Sequence, residues 1–400
     1  MINKKDWIIA GVFLLLSIGL IFYKLDARPL QDWDEGIYAN ISSEMITSGD
    51  YLHLTSGGNY WYEKEPLPFW LMAGSIKVFG NNLWALRFPM AMVCLFIFPL
   101  FYLLARRFLP RLEAVLSTTF FIVSPVVWHS HFLRTADFDM LAVCLILSAL
   151  TVYVYKRESS WWLTGILLAS LCLVRGIWGF FFLGMILILE FFQTERWSWK
   201  KIVGVTLITT LPWLLWHLWS LSFGGLDYVR VYWQEQFFSR VTGPLQGHQG
   251  GIDFYWNFLI ILLGWFFILF LILAIISLII RYARKPSSAN LFLPLWLLIS
   301  LVPLHVISTK INWYLAPALP AIYLAFGSFL EIIKKVLWQS KFKYKEIIWS
   351  LFIGCWLLLM VNFAYLSFIK VSNYTNEKLT SKNPEWPAVI WYKTYTHILP

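Results

Sequence analysis

The chain has 400 residues, of which 59% are hydrophobic, 19% aromatic and 14% charged, with a formal net charge of +10. Soluble domains carry about 25% charged residues, so this composition excludes a soluble enzyme and disordered, fibrous or small secreted proteins. A polytopic membrane protein remains. The basic residues are too sparse and scattered for a nucleic-acid surface, and membrane topology accounts for them better.

A crossing helix needs about 20 mainly apolar residues. In chain order the runs are about 7–23, 86–105, 112–128, 139–155, 161–174, 176–192, 202–221, 255–280, 290–306, 311–333 and 346–369. Arg175 divides the fifth from the sixth. With the N-terminus inside, the inside segments collect the basic clusters Lys4-Lys5, Arg106-Arg107, Lys156-Arg157, Lys200-Lys201, Arg284-Lys285 and Lys334-Lys335. Acids and bases nearly balance outside, as the positive-inside rule requires. The first run lacks a small-residue cleavage site and is expected to be retained. Cys94, Cys144, Cys172 and Cys355 all fall in spans and read as packing residues. The long non-spanning pieces are 24–85, 222–254 and 371–400, all expected outside. The last is expected to be a short tail, with no soluble domain.

The outer segments hold the chemistry. Asp34 to Gly49 reads as a short amphipathic juxtamembrane helix, with Ile37, Ile41, Met45 and Ile46 at helical spacing. Asp34 and Glu35 then stand in its first turn, where acids also serve as plain capping residues. The segment HSHFLRTADFDM puts Asp137 and Asp139 at the mouth of the fourth span. Carboxylates beside a bilayer are costly unless they pair or bind something. Arg134 is a local partner, and His129 and His131 have metal-ligand spacing of low specificity. Glu235, Arg240 and His248 lie in the third outer segment, and Lys310 lies between two spans. Acids and cations on one face suit an anionic lipid headgroup reacting with a hydroxyl or amine.

Four ordered strings resemble a known family. They are WDEGIYANISSEMITSGDYLHLTSGGNYWYEKEPLPFW, RTADFDM, EQFFSRVTGPLQGHQGG and ISTKINWYLAPALPA. Together they resemble the motifs of bacterial polyprenyl-phosphate-dependent glycosyltransferases, the aminoarabinose-transferase and protein O-mannosyltransferase relatives of the GT-C fold. The resemblance implies an all-α polytopic bundle of about 11 transmembrane helices. It casts Asp34 as the general base, Glu35 as its helper and Asp139 as the second-motif acid. Lys64, Arg240 and Lys310 would surround the donor phosphate, with Tyr62 and Tyr314 as further pocket contacts. Glu63 and His248 match positions that can ligate a divalent metal ion. One departure is the KEPLP box, where Glu65 replaces the first proline of the family's KPPLP.

The implied function is a multi-pass inner-membrane glycosyltransferase, its N-terminus cytoplasmic and its site on the periplasmic face. It would move a sugar from a polyprenyl-phosphate donor to a glycolipid, glycan or protein hydroxyl. Polytopic architecture also suits a lipid transporter or flippase, but here the ionisable residues concentrate in outer loops.

Overall fold

The computed structural model describes residues 2–27, 30, 34–129, 131–193 and 197–376. The side chains of Gln246 and of residues 368–376 are not described, and most of the expected tail 371–400 lies outside these residues. The helices are α1 (Lys4–Phe22), α2 (Asp34–Ser48), α3 (Leu67–Phe79), α4 (Leu83–Cys94), α5 (Ile97–Phe108), α6 (Arg111–Val123), α7 (Asp139–Lys156), α8 (Trp161–Phe191) and α9 (Trp199–Tyr228). A π-helical segment, Val229–Ser239, runs into one turn, α10 (Arg240–Thr242). There follow α11 (Phe254–Leu263), α12 (Trp265–Arg284), α13 (Ser288–Val306), α14 (Leu319–Gln339) and α15 (Lys345–Asn376). A hairpin of two short strands, β1 (Thr55–Ser56) and β2 (Asn59–Tyr60), pairs Thr55 with Tyr60. Among the described residues, nine helical stretches are long and apolar enough to cross a membrane. The chain is a multi-pass, predominantly helical membrane protein.

One of the nine, α8, is two helices. A straight helix of 31 residues would be about 46 Å long. Yet Arg157, just before α8, donates to both carboxylate oxygens of Glu190, at 2.7 and 2.6 Å, near its far end. The reversal falls at Arg175, whose backbone (φ −151°, ψ 79°) leaves the helix. The expected spans 161–174 and 176–192 are therefore the arms of an antiparallel hairpin. The arms touch at Gly179, where a Cβ would come within 2.2 Å of Cys172 Sγ. We expect Gly179→Ala to destabilise the protein by about 1–3 kcal/mol, the usual cost of overpacking a tight contact. A lower unfolding midpoint in detergent would show it, and an unchanged midpoint would mean that the arms are not in contact.

Ion pairs sort the charges to the two ends that the sequence assigns. At one end are Asp6 with Arg106 and Arg111, Glu113 with Lys334, and Glu158 with Lys201. At the other are Asp34 with Lys64, Glu35 with Arg87, and Asp139 with Arg175. Each of these joins residues of one expected side, which a miscounted span would have prevented.

The structure differs from expectation in two outer segments. Helix α2 lies deeper than a surface helix: from Glu35 to Met45 all residues but Ile37 are buried, including Asn40, Ser42, Ser43 and Glu44. Glu44 is satisfied inside, accepting from Asn40 and from the Gly57 backbone. The one-faced helix is α3, which buries Phe69, Met72, Ala73 and Ile76 and exposes Leu71, Val78 and Phe79. The expected outer loop 222–254 is mostly helical as far as Thr242: the backbone of Gly225 (φ +52°, ψ −132°) breaks α9, and the helical chain beyond it runs into the π-helical segment and packs Tyr228 and Tyr232 against His217.

Candidate active site

At the end of the bundle that carries Asp34 and Asp139, the helices enclose a cavity of about 1060 Å³. Asp34, the first residue of α2, stands on its wall, where the helix N-terminus favours a carboxylate. Lys64 Nζ lies 3.4 Å from Asp34 Oδ1 and donates to the Tyr38 hydroxyl. His131 Nδ1 is 3.9 Å from Asp34 Oδ2 and 3.2 Å from Asp137 Oδ1. Burial works to raise the Asp34 carboxyl, but Lys64, His131 and Arg175 outweigh it and hold it below its ordinary range. Asp34 is thus ionised at neutral pH. For His131, burial acts downward and is outweighed by Asp137 and Asp34, so the imidazole sits above its usual value. Its ring stacks on Trp313 with centroids 3.7 Å apart.

Asp139, the first residue of α7, also faces the cavity. Its partner is not the neighbouring Arg134 but Arg175 at the hairpin apex, which reaches both carboxylate oxygens at 2.8 and 2.9 Å. Arg134 instead donates to the Tyr23 and Lys24 carbonyls. A guanidinium over two oxygens is strong, charge-assisted pairing, and it fixes Asp139 while leaving Asp34 more weakly held.

Across the cavity, Arg240 donates to the Tyr314 hydroxyl at 2.5 Å and to Gln236 Oε1 at 3.0 and 2.5 Å. Both Arg240 and Tyr314 line the cavity, as do Glu63, Lys64 and His248. Burial raises Glu63 above the usual carboxylate range against the pull of Lys64 and Arg240.

Three expected site residues are placed elsewhere. Glu35 is fully buried, salt-bridged to Arg87 at 2.7 and 2.8 Å, and accepts from the Ala136 backbone at 2.9 Å. It holds the base of α2 rather than facing the cavity. Lys310 is not on the cavity wall: its ammonium donates to the Leu304 and His305 carbonyls at 2.7 and 2.9 Å. That is the C-terminus of α13, where unpaired carbonyls attract a cation. Tyr62 packs instead against Tyr60, Phe223 and Tyr228.

His131, Asp34 and Asp137 offer ligand atoms all within 4.8 Å of one another, the spacing a metal ion could use. Glu63 and His248 share the cavity but are not part of that group. The role of Arg175 had a signal in the sequence, a lone arginine interrupting an apolar run. Its pairing with Asp139, 36 residues earlier, had none.

Comparison with known proteins agrees with this architecture. Residues 63–216 match the family model described as dolichyl-phosphate-mannose-protein mannosyltransferase. The undecaprenyl phosphate-alpha-4-amino-4-deoxy-L-arabinose arabinosyl transferase 2 of Pseudomonas fluorescens is 26% identical over 340 residues, 81% of this chain and 60% of that protein. An uncharacterised protein of Aquifex aeolicus is 26% identical over 341 residues, 81% of this chain and 65% of that one. Among solved structures, ArnT from Cupriavidus metallidurans bound to undecaprenyl phosphate superimposes with a TM-score of 0.66 at 19% identity, covering 98% of this chain and 78% of that one. The Archaeoglobus fulgidus oligosaccharyltransferase in its apo form gives 0.62 at 16%, covering 92% and 56%. The chain spans about three-fifths of the length of the curated relatives it matches.

Fold and cavity together define a membrane-embedded GT-C bundle with its charged site at one end. Over residues 63–216 the chain resembles the mannosyltransferase family model, and over most of its length it resembles the aminoarabinose transferases.

Proposed function

We propose that the protein is an integral-membrane glycosyltransferase moving a sugar from a polyprenyl monophosphate to an acceptor hydroxyl or amine. The observation that carries this is one cavity holding an ionised carboxylate, Asp34, and cations, Lys64 and Arg240, beside an apolar flank that includes Trp178, Phe181, Phe237 and Ile307. The flank suits an isoprenoid chain, and the cations suit its phosphate. The acceptor O–H or N–H attacks the anomeric carbon and gives its proton to Asp34. The bond from that carbon to the phosphate oxygen breaks, its electron pair leaves with the phosphate, and direct displacement inverts the centre. Lys64 and Arg240 stabilise the charge that develops on the leaving phosphate. Tyr314 holds Arg240 in place.

Residues 1–370 form the catalytic unit in this reading. The basic end faces the cytoplasm by the positive-inside rule, so the cavity opens on the outer, periplasmic side. A divalent metal ion fits the cluster better than the expected pair Glu63 and His248. Two carboxylates and an imidazole converge there, and Asp137 Oδ2 is buried without a hydrogen-bond partner. Held by Asp137 and His131 with Asp34, such an ion would supply positive charge and Lewis acidity at the site. The relatives' sugars and acceptors are theirs, and the panel below is chosen accordingly.

The test is to incubate the purified protein in lipid with a panel of polyprenyl-phosphate sugars and follow polyprenyl phosphate by mass spectrometry. Release from at least one donor is expected, with sugar on an acceptor. Donor that binds but is never cleaved would overturn the enzyme reading in favour of a transporter.

A further inference from the structure

We propose that Glu65 is a positioning residue, the junction that holds the three cation-bearing segments of the cavity in register. This rests on the proposed function in taking those cations as the phosphate's binding groups. Glu65 stands where the resembled family's motif has proline, and it is 4% exposed. Its Oε1 accepts from the Tyr232 hydroxyl at 2.6 Å and from the Gly176 backbone at 3.1 Å. Each contact belongs to a different segment. Glu65 itself follows Lys64 in the first outer loop. Gly176 follows Arg175 at the apex of the α8 hairpin. Tyr232 lies on the π-helical segment that leads into Arg240. One carboxylate oxygen therefore ties Lys64, Arg175 and Arg240 together across 167 residues of chain.

The local chemistry supports a holding role. Glu35, Asp139 and Glu190 each face a guanidinium, whereas Glu65 is held by a hydroxyl and a backbone N–H. Burial raises its carboxyl above the usual range, and the hydrogen bonds from Tyr232 and Gly176 pull against that. The approach also needs glycine at 176, because a Cβ there would sit 2.7 Å from Glu65 Oε1 and 2.6 Å from Trp213 Nε1. A proline at 65 would stiffen the box through its ring. Glutamate restrains the same loop through two hydrogen bonds to distant elements. The segment it restrains needs restraint: 11 residues of π-helix are unusual, such geometry being common mainly as single turns.

The experiment uses the full chain in nanodiscs, with Glu65→Ala, Glu65→Gln, Tyr232→Phe and the Ala/Phe double variant. Polyprenyl monophosphate is the binding probe, and hydrogen exchange over 229–239 is the second readout. Glu65→Ala and Tyr232→Phe should each weaken binding about tenfold, the effect of one well-placed hydrogen bond, and raise KM for donor more than they lower kcat. The double variant should be no worse than Glu65→Ala, since both remove one coupled contact. Glu65→Gln keeps an oxygen for both donors and should restore near-normal binding. Exchange over 229–239 should rise in the Ala variant. Unchanged exchange, additive losses, or a Gln variant as impaired as Ala would each overturn the positioning role. Wild-type protein that fails to bind polyprenyl phosphate while Glu65→Ala still loosens 229–239 would refute the functional reading and leave the junction standing.

Discussion

Asp34→Asn is expected to abolish sugar transfer while the protein folds normally and still binds donor. The change is nearly isosteric, and the side chain it alters is half-buried, with Lys64 3.4 Å away. What it removes is the proton acceptor. General-base assistance is worth about 10²–10⁴-fold, so polyprenyl-phosphate release should fall by that factor. An elution profile and unfolding midpoint matching wild type would show the loss to be chemical. An Asn variant retaining more than about a tenth of the activity would remove Asp34 from the role. Asp139 is poorly placed to replace it, because Arg175 occupies both of its oxygens.

Arg87→Ala should be the most destabilising single substitution in the outer half of the bundle. Arg87 and Glu35 are both fully buried. The guanidinium spans both oxygens of Glu35 and donates to the Leu25 carbonyl at 3.0 Å. Glu35 in turn accepts from Ala136. This one cluster joins the chain after α1, the start of α2, the start of α4 and the loop that delivers Asp137 and Asp139. Removing one partner strands a charge in a dry site, at a cost of about 3–5 kcal/mol. Replacing both with apolar residues of similar volume can be close to neutral. Arg87→Ala should therefore lower the unfolding midpoint in detergent sharply, and Arg87→Met with Glu35→Leu should recover most of it. An Ala variant with the wild-type midpoint would mean that water reaches the pair.

These two acids are neighbours in sequence, and the sequence could not separate them. Asp34 and Glu35 stand side by side in a first helical turn, where either could have been base, ligand or cap. Successive helical side chains point about 100° apart, so one faces the cavity and the other faces Arg87. Which is which depends on how α2 is rotated against α3 and α7, and that is a tertiary fact. Lys310 shows the same limit. An outer lysine between two spans suits a phosphate, but it equally suits the carbonyls ending α13, and in the structure those carbonyls hold it.

Other features were legible because they follow from local composition and period. Apolar runs long enough to cross a bilayer mark the spans, and the charge bias alternating with them separates the two ends at which the ion pairs form. The α8 hairpin illustrates this: one arginine in an apolar run marked the turn, since a guanidinium in hydrocarbon is too costly to leave unpaired. The composition alone made this a membrane protein, and ordered motifs singled out Asp34, Asp139, Lys64 and Arg240, which line one cavity. The tertiary structure decided which charges meet. Arg175 joins Asp139, His131 stands between Asp34 and Asp137, and Glu65 gathers three distant segments, because side-chain pairing depends on helix rotation and packing that no local pattern encodes.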